Sequence, residues 1–538
     1  MARRTSTEML SQSDPKPNHM TCLGIVFVGF FLLSLLPSLL SGYRYSVLSC
    51  SDSAVHIANE MKMLNPDIFP KDIIMVRELE IRPYADFRTF GFIVFIARSF
   101  SLDLLLVNFI LNNLLLIIFL AGVYLLAGYL FQSRIVGMFC ALASICPLPA
   151  NGGLIWGFWQ GGVIPHNLGV TLAPYCALLF FFTKSKGKTY LTYLVMGFLT
   201  NIYPLAFFHL ALVFGLAELL EERSAQTLKR LSFSAFLFTL GALPSLYQAF
   251  TITVNIGGVA ERVFFEQAIQ RRYSYLMVES VAKFFRLTNR YLIFLALGAL
   301  CFWVRRRWFH VILPQERIYT CFIIAALIFV VIGMGVENMT NVLRHYFLSR
   351  ISAYSYIWIL PQIMGMTFLL LKRKGIQNYL IALLILSFTI FGRSYYINLF
   401  RLALQGNYHP VNIYLEAPVD EDYLAMCRWV KENTPCDAYF IVHPDRFSSY
   451  FRIYAERGIL VTYKDGGHGL LASEKMVAWW DLYNRVKGAY RAGDEQVFGE
   501  LQKEFKADHL ICDRGFPLQL SFPVVYDKGN FVIYKMRQ

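Results

Sequence analysis

Two side chains with the chemistry of acid–base catalysis lie four positions apart in the sequence SCSDSAVHIANEMKMLNPDIFPKD at 49–72. On a helix, Asp52 and His56 share one face, because residues four apart are neighbours on the helix surface. A carboxylate can take the proton of a hydroxyl group that lies within about 3 Å of it. The other interpretation is a capped surface helix, in which Ser51 or Asp52 is the N-cap residue. The residues themselves leave both interpretations open.

The chain that positions these residues is rich in apolar side chains. Of its 538 residues, 56% are hydrophobic and 16% are charged, whereas a soluble protein is about 45–50% apolar and about a quarter charged. The apolar residues form runs of about 15–25 residues, the length that a helix needs to cross about 30 Å of hydrocarbon. This composition excludes a disordered protein and predicts a multi-pass membrane protein.

Eleven apolar runs are predicted to span the membrane. The first is longer than the apolar part of a signal peptide and shows no clear small-residue cleavage site, so we interpret it as an uncleaved span. The predicted fold class is an α-helical polytopic membrane protein with about eleven spans and a small C-terminal α/β domain. In chain order the runs are 22–42, 104–131, 135–150, 168–183, 189–201, 203–220, 231–250, 287–304, 318–336, 351–371 and 376–392.

The basic residues predict the orientation of these spans. The net charge is +14, but residues 393–538 carry 18 basic and 18 acidic side chains, so the excess lies among the apolar runs. Basic clusters at 184–188, 305–307 and 372–374 all fall on one side of the membrane, which the positive-inside rule makes cytoplasmic. The tail at 1–21 is then cytoplasmic as well. Nucleic-acid binding is not needed to explain the charge.

This orientation divides the chain into three predicted parts. A transmembrane domain at 22–392 follows the N-terminal tail and contains a long first outer loop at 43–88. The segment at 393–538 is predicted to be a domain on the extracytoplasmic side. On the same outer side, the amphipathic stretch TFGFIVFIARSFS at 89–101 is typical of an interfacial helix.

A second outer segment, PLPANGGLIWGFWQGGVIPHN at 147–167, is rich in Gly, Pro and Trp. Irregular backbone at membrane depth must be buried in protein or line a cavity, so this composition suits a re-entrant or interfacial loop. Trp156, Trp159 and His166 could line a sugar site by stacking. A belt of Trp side chains at the interface explains the same residues.

The C-terminal segment changes character and indicates a small α/β domain, because helical and strand patterns alternate along it. The turn KDGGHG at 464–469 and the aromatic group Trp479, Trp480 and Tyr483 could contact a carbohydrate, or serve as an ordinary turn and core. Cys427 and Cys436 could pair in an oxidising compartment. The predicted helices are 419–432, 446–458 and 473–506 with a break near Gly493, and the predicted strands are 437–442, 459–463, 509–513, 523–527 and 531–535.

The local pattern SDSAVHIA followed by NPDIFPKD resembles a stretch of a bacterial branch of the GT-C class of membrane glycosyltransferases. That branch has Asp-Ala-x-x-His followed by Phe-Pro-x-Asp. The C-terminal segments RWVKENTPCDAYFIV, YAERGILVTYKD and AWWDLYNR are similar to the outer α/β domain of the same branch. The resemblance covers most of the chain.

The resemblance implies inverting transfer of a hexose or pentose from a polyprenyl-phosphate donor to a glycan, lipid or protein acceptor. The resemblance also implies that the reaction would take place in the cell envelope, on the outer side of the bacterial inner or plasma membrane. Asp52 would be the general base or hold the acceptor, and His56 would orient that carboxylate or bind the donor phosphate. Asp72 and Asp86, which lie in the same loop, are second-choice acids.

A lipid-phosphate donor also requires cations at the outer interface. Arg344, His345 and Arg350 are the predicted phosphate-binding residues, with ordinary interfacial snorkelling as the other interpretation. Asp52 and His56 provide two potential metal ligands, and a third ligand is not evident. Some members of the class use a divalent ion and others do not, so no metal and no other cofactor is predicted.

Two other functions fit a chain of this kind. A transporter or flippase also needs many spans, but transporters usually bury ionisable groups near the midplane or use inverted repeats. A non-catalytic scaffold would use the tail to bind a partner, yet eleven spans are far more than anchoring requires. The polar residues lie mostly in the outer loops and tail, which favours the transferase.

Overall fold

The structure is a computed structural model. It describes residues 18–40, 42–48, 51–73, 75, 84–145, 148–149, 155–158, 161–182, 186–254, 267–268, 281–313, 315–339, 354, 356–373, 375–391, 421–446, 450–467, 473–515, 518 and 520–536.

Helices dominate the part of the chain that precedes residue 392. Each of the eleven predicted runs holds a helix, and the first of them contains a π-helical stretch, Phe31–Leu35, between α1 and α2. The helices are α1 (His19–Phe30), α2 (Leu36–Leu40), α3 (Tyr43–Val47), α4 (Ser51–Leu64), α5 (Tyr84–Ser99), α6 (Leu104–Phe131), α7 (Arg134–Ser144), α8 (Pro165–Phe182), α9 (Lys186–Thr200), α10 (Pro204–Glu221), α11 (Ala225–Val254), α12 (Val281–Arg307), α13 (Glu316–Met339), α14 (Ile359–Lys372) and α15 (Ile376–Phe391). A two-stranded sheet, β1 (Leu148–Pro149) and β2 (Ile155–Trp156), precedes α8.

Several of these helices have the length and composition of membrane spans. Within the described residues, His19–Leu40, Leu104–Phe131 and Pro165–Phe182 are long and apolar enough to cross a membrane. Large apolar side chains such as Phe27, Leu32 and Leu240 are exposed on the outside of the bundle. These features are those of an integral membrane protein, and the number of eleven spans stays a prediction.

Helix α6 shows why a long span forms at this place in the sequence. Its N-cap is Asp103, whose Oδ1 accepts hydrogen bonds from the N–H groups of Leu105 and Leu106 at 2.8 and 3.2 Å. Apart from Asn108, Asn112 and Asn113, apolar residues occupy nearly every position on all sides of the helix, which suits burial in a bundle and lipid. It ends where Gln132 adopts a left-handed conformation with φ 50°.

Helices α9 and α11 cross at very short range. A Cβ atom added to Gly197 would lie 2.3 Å from the carbonyl oxygen of Phe238, and one added to Gly241 would lie 2.8 Å from the backbone nitrogen of Phe198. Small residues that let two backbones approach are typical of helix pairs in membranes. The two glycines therefore permit the short distance between these helices.

Contacts between helix ends bring several of the predicted cytoplasmic turns to one end of the bundle. Gln315 Nε2 donates to the hydroxyl of Tyr129 at 3.3 Å, which joins the start of α13 to the end of α6. Arg317 donates to the carbonyl of Glu221 at the end of α10. The guanidinium of Arg373 lies 4.7 Å from the centre of the Phe309 ring.

Arg305, one residue of the basic cluster 305–307, is buried in protein, whereas a charge at the membrane surface is expected to be exposed. Arg305 is completely buried, and its Nη2 lies 2.7 Å from Oε1 of Glu316. Its Nη1 also donates to the carbonyl of Val311 at 2.6 Å. Arg305 thus holds the turn between α12 and α13, because a buried guanidinium needs a carboxylate and further acceptors around it.

The C-terminal domain is a five-stranded sheet with helices on both faces. The strand order is β4-β3-β5-β7-β6, with β3 parallel to both β4 and β5, and β7 antiparallel to β5 and β6. The domain's elements are α16 (Glu421–Asn433), β3 (Tyr439–Ile441), α17 (Tyr450–Ala455), β4 (Gly458–Ile459), a 3₁₀ helix (Tyr463–Gly467), α18 (Ser473–Ala492), α19 (Glu495–Phe505), β5 (His509–Asp513), β6 (Val524–Lys528) and β7 (Phe531–Lys535).

The predicted α/β domain is thereby confirmed in outline. The strands predicted at 509–513 and 531–535 have those bounds, and the long helix breaks at Gly493, which has φ +64°. The strand predicted at 459–463 is wrong after Ile459. There the chain turns into the 3₁₀ helix, because the Thr462 N–H donates to the Asp465 carboxylate at 2.7 Å.

Candidate functional site

Helix α4, which carries Asp52 and His56, is buried rather than exposed at the surface. Between positions 53 and 62 its side chains are buried or half-buried. A surface position is therefore wrong for this part of the helix, whereas the capping role of Ser51 or Asp52 stays a prediction. Asp52 lies in the first turn of this helix, and its side chain is outside the described part of the structure. The surroundings of α4 thus define the candidate site.

The first neighbour of α4 is the N-terminal end of α6, which it contacts through a buried polar network. Asn108 Nδ2 donates to Oε2 of Glu60 at 2.6 Å, and both side chains are completely buried. Asn108 Oδ1 accepts the backbone N–H of Val163 at 3.1 Å. A buried carboxylate needs hydrogen-bond donors of this kind, so Asn108 joins α4, α6 and the chain before α8.

The second neighbour is the end of the Gly-rich segment that precedes α8. The Gly162 N–H donates to Oγ of Ser53 at 2.9 Å, directly beside Asp52 in the sequence. A Cβ atom on Gly162 would lie 3.3 Å from Asn108 Oδ1 and 3.3 Å from Val47. The close approach of this segment to α4 therefore favours glycine there.

His166 lies just beyond this contact, in the first turn of α8. Its ring is half-buried and meets the ring of Tyr203 edge to face, with centroids 5.9 Å apart. Helix α4 therefore meets the N-terminal turns of α6 and the segment that leads into α8, and His166 lies on an element adjacent to the one that carries Asp52 and His56.

The third neighbour is helix α5, which covers His56. The His56 ring stacks on Phe90 with centroids 4.8 Å apart. Arg98 Nη2 donates to the carbonyl of Leu64 at 3.0 Å, so the guanidinium satisfies one of the last carbonyls of α4. Phe92 and Phe95 are exposed on the opposite side of α5, as expected of the predicted interfacial helix.

The fourth neighbour is the C-terminal domain, which reaches the first loop through a buried ion-pair cluster. Arg452 Nε lies 2.8 Å from Oδ2 of Asp72, and Arg452 Nη1 lies 2.7 Å from Oδ1 of Asp465. All three side chains are inaccessible to solvent. The cluster fixes the part of the first loop around Asp72 against α17 and the 3₁₀ helix.

The environment of Asp72 is that of a structural carboxylate. Burial raises its pKa, although the Arg452 guanidinium opposes that shift. Its oxygens also accept the N–H groups of Met75 and Ile459, each at 3.1 Å. The carboxylate is surrounded by protein donors, and a role in holding the loop describes it better than proton transfer.

The remaining predicted residues are only partly described. Asp86 lies in the first turn of α5 and Trp156 in β2, where the structure describes the backbone alone. Trp159, Arg344, His345, Arg350 and His468 lie outside the described residues, so their proposed roles stay predictions.

Other predicted features of the C-terminal domain have structural explanations. Trp479 is buried and its Nε1 donates to the carbonyl of Thr462 at 2.9 Å, and Tyr483 is also buried. Both belong to the core of the domain. Cys427 is buried, Cys436 is exposed, and neither is in a disulfide. Among the described residues, His, Cys, Asp and Glu form no group of three that could hold a metal ion.

Two residues of the site were missed by sequence reasoning. Glu60 lies four positions after His56, so the spacing that paired Asp52 with His56 also places Glu60 on the same face. Arg452 gave no local signal, because its partner Asp72 is 380 positions away.

The fold is similar to that of solved membrane glycosyltransferases. The Archaeoglobus fulgidus oligosaccharyltransferase, tethered with an acceptor peptide containing the NVT sequon, matches with a TM-score of 0.52 and 11% identity. The match covers 92% of this chain and 69% of that protein. The same enzyme in complex with Zn and sulfate matches with a TM-score of 0.49 at 13% identity, covering 91% of this chain and 68% of that one.

A third similar structure is the arabinofuranosyltransferase AftD from Mycobacteria, with a TM-score of 0.47 and 11% identity. The match covers 97% of this chain and 40% of that protein. Both enzymes are GT-C glycosyltransferases. The fold of this chain is thus similar to that of the oligosaccharyltransferase, and the expected resemblance is confirmed at the level of fold.

Sequence comparisons say less. Residues 421–486 match a family described as "Domain of unknown function (DUF6798)", and this match covers α16 to the middle of α18. Among curated proteins, no sequence matches this chain.

Proposed function

We propose that this protein is an inverting glycosyltransferase that uses a polyprenyl-phosphate-linked sugar as donor. The observation that carries the proposal is the similarity of fold, over 92% of the chain, to an oligosaccharyltransferase. The acceptor, a glycan, lipid or protein, binds on the outer side of the membrane. The sugar is a hexose or a pentose.

The proposed reaction uses one carboxylate and one cationic site. Asp52 takes the proton of the acceptor hydroxyl, and the acceptor oxygen forms a bond to the anomeric carbon. The bond between that carbon and the phosphate oxygen breaks, and the polyprenyl phosphate leaves with the electron pair. Arg344, His345 and Arg350 stabilise the charge on the leaving phosphate.

The surroundings of α4 support this assignment. Four elements hold the helix and its loop, through Asn108, Gly162, Arg98 and Arg452. A general base needs a fixed position relative to the acceptor hydroxyl, because a small displacement of the base strongly lowers the rate of the reaction. His56 is held by its stacking on Phe90 and orients the Asp52 carboxylate.

The proposed topology has eleven spans, a cytoplasmic N-terminus and an extracytoplasmic C-terminal domain. Its support is the separation of the two ends of the bundle. The ends of α6, α10 and α12 meet the basic turns, whereas the start of α6 meets the first loop.

The test is donor turnover by the purified protein in lipid, with a panel of radiolabelled polyprenyl-phosphate sugars and candidate acceptors. We expect at least one donor to be consumed, and Asp52→Asn to lower the rate at least about a hundredfold. Asp67→Asn is the matched control, because Asp67 is an exposed carboxylate of the same loop.

Each result has a definite meaning. If the wild type and Asp52→Asn turn over alike, the enzyme assignment stands and the base is a different residue. If the wild type consumes no donor with any acceptor, the proposal is overturned in favour of a transporter or a scaffold.

A further inference from the structure

The C-terminal sheet contains a point at which the direction of winding reverses. From β3 the chain passes through α17 to β4 on one side of β3, and then through α18 and α19 to β5 on its other side. Phe440 and Ile511 pack with α16 and α17 on one face of the sheet, while Ile441 packs with α18 and α19 on the other. In open α/β sheets, ligands bind beyond the carboxyl ends of two strands at such a point.

The carboxyl ends of β3 and β5 carry polar side chains that meet. His443, Asp445 and Arg446 follow β3, and Asp513 ends β5. Arg446 Nη1 lies 2.7 Å from Oδ2 of Asp513, so the pair bridges the two strand ends. The Gly515 N–H donates to the other oxygen of Asp513 at 2.7 Å.

Helix α18 adds a second polar pair at the same place. The Asp445 carboxylate accepts hydrogen bonds from the Tyr483 hydroxyl and the Lys487 ammonium group. Lys487 Nζ also donates to the Tyr483 hydroxyl at 2.9 Å. Burial raises the pKa of Asp445, but the hydrogen bonds from Lys487 and Tyr483 outweigh it and leave the pKa lowered.

The group is shielded but reaches solvent. The side chains of Asp445 and Arg446 are 34% and 35% exposed, whereas those of Lys487 and Asp513 are 10% and 17% exposed. A ligand therefore meets charged groups that are already oriented by one another.

The charges within the group balance. Asp445 faces Lys487 and Asp513 faces Arg446, and burial lowers the pKa of His443, which keeps the ring neutral. An anionic ligand would find each cation matched by a carboxylate. A neutral ligand with several hydroxyl groups can donate to the carboxylates and accept from the ammonium and guanidinium groups.

An aromatic ring stands next to this group. The half-buried Trp480 ring is stacked against Tyr483, with centroids 5.7 Å apart and an interplanar angle of 14°. Aromatic side chains provide large apolar contact area with little loss of conformational entropy. A sugar ring, with one apolar face and polar edges, fits such a combination.

We infer that the carboxyl ends of β3 and β5, together with Tyr483 and Lys487 of α18, form a binding site for a neutral saccharide. The inference deepens the proposed function, on which it rests in one respect: a saccharide bound here is the acceptor or part of it. Binding itself requires no transfer.

The test measures binding of labelled neutral gluco-, manno-, galacto- and arabino-oligosaccharides to the full-length protein in lipid nanodiscs. An oligogalacturonate is the anionic comparison. Asp445→Asn and Arg446→Gln remove one charge each from the two pairs. Arg485→Gln is the matched control, because Arg485 pairs with Glu504 on the outside of the same domain.

We expect at least one neutral saccharide to bind, and both site variants to weaken its binding at least about tenfold, which corresponds to about 1.4 kcal/mol. Arg485→Gln is expected to bind like the wild type. A cooperative thermal unfolding transition shows that each variant is folded. If Asp445→Asn does not fold, Arg446→Gln provides the test.

Three results would overturn the inference: no neutral saccharide binds, both folded site variants bind like the wild type, or the oligogalacturonate binds better than the neutral sugars. Asp52→Asn separates this inference from the proposed function. That variant should bind saccharide normally even though it has lost donor turnover, so either hypothesis can fail alone.

Discussion

The Nε atom of Arg452 lies 2.8 Å from Oδ2 of Asp72, although the two residues are 380 positions apart in the chain. Neither side chain is accessible to solvent. Asp465 completes the cluster on the other side of the guanidinium. The first loop and the C-terminal domain are therefore joined by a cluster of buried charges. If one of the three side chains is removed, a partner charge is left buried without a counter-ion.

Replacing Arg452 by Ala should destabilise the protein strongly. The substitution leaves Asp72 and Asp465 buried without a cation, and removing one partner of a buried ion pair typically costs about 3–5 kcal/mol. We expect the free energy of unfolding to fall by this amount when it is measured by denaturant titration of the detergent-solubilised protein.

Lys431→Ala provides the control for Arg452→Ala. Lys431 pairs with Glu456, but both side chains are exposed, at 49% and 36%. A surface pair of this kind contributes about 0–1 kcal/mol. Equal losses in the two variants would contradict the role given to Arg452.

Replacing Asn108 by Ala should loosen the contact between α4 and α6. The variant removes the amide that donates to Glu60 and the oxygen that accepts the Val163 N–H. Leaving buried polar groups without such partners costs about 1–3 kcal/mol each. Hydrogen exchange of the Val163 amide should become faster, because local opening is easier.

The matched control for that substitution is Asn113→Ala on the same helix. Asn113 is half-buried, and its amide donates to the carbonyl of Phe109, four residues earlier, at 2.8 Å. Since this bond joins no second element, exchange at Val163 should not change. Faster exchange in both variants would mean that Asn108 has no special role.

Acid should destabilise the C-terminal domain through His443 and His509. Burial lowers the pKa of both rings below the ordinary 6.5. The unfolded chain then takes up the protons first, so the stability is complete above about pH 6.5 and falls as the pH drops towards the folded-state pKa values.

The measurement compares melting temperatures at about pH 7.5 and about pH 5.5 for the wild type and a His443→Gln/His509→Gln variant. The raised pKa of Asp72 acts in the opposite direction, because its contribution is present in acid and is lost as the pH rises. It is common to both proteins and cancels. The variant should lose less stability on acidification, and an equal loss would contradict the assignment.

Replacing Gly197 by Ala should disrupt the crossing of α9 and α11. The new methyl group would lie 2.3 Å from the Phe238 carbonyl oxygen, which belongs to the backbone and cannot rotate away. Overpacking of this kind typically costs about 1–3 kcal/mol. We expect a lower melting temperature in detergent.

Gly24→Ala is the control, since nothing lies within 4 Å of a Cβ atom at that position of α1. Alanine is the better helix former by about 1 kcal/mol in a helix interior. The melting temperature should therefore stay the same or rise. A decrease equal to that of Gly197→Ala would show that helix crossing is not the cause.

Elements with a local signal could be predicted from the sequence. Helix α6 has an apolar run and the N-cap Asp103, and β5 and β7 have short apolar runs between turn residues, so their bounds agree with the prediction. The strand from Ile459 was predicted too long, because the pattern does not reveal that the Asp465 side chain draws the chain into a 3₁₀ turn.

The candidate site could be predicted only in part, for the same physical reason. Asp52 and His56 are four positions apart, so a helix places both on one face, and this can be predicted from the sequence alone. The burial of that helix depends on residues such as Asn108 and Gly162, which come from distant parts of the chain. Arg305 shows the same limit, because it is one of three consecutive arginines and only the fold determines which of them is buried against Glu316.

The separation of 380 residues between Asp72 and Arg452 also has a consequence for the order of events during synthesis. A ribosome adds about 5–20 residues per second, so Asp72 is made roughly 20–80 s before Arg452. During that time the Asp72 carboxylate cannot form its ion pair with Arg452. The loop can therefore reach its final position only after the C-terminal domain has begun to fold, which makes the fixing of the chain after α4 a late step.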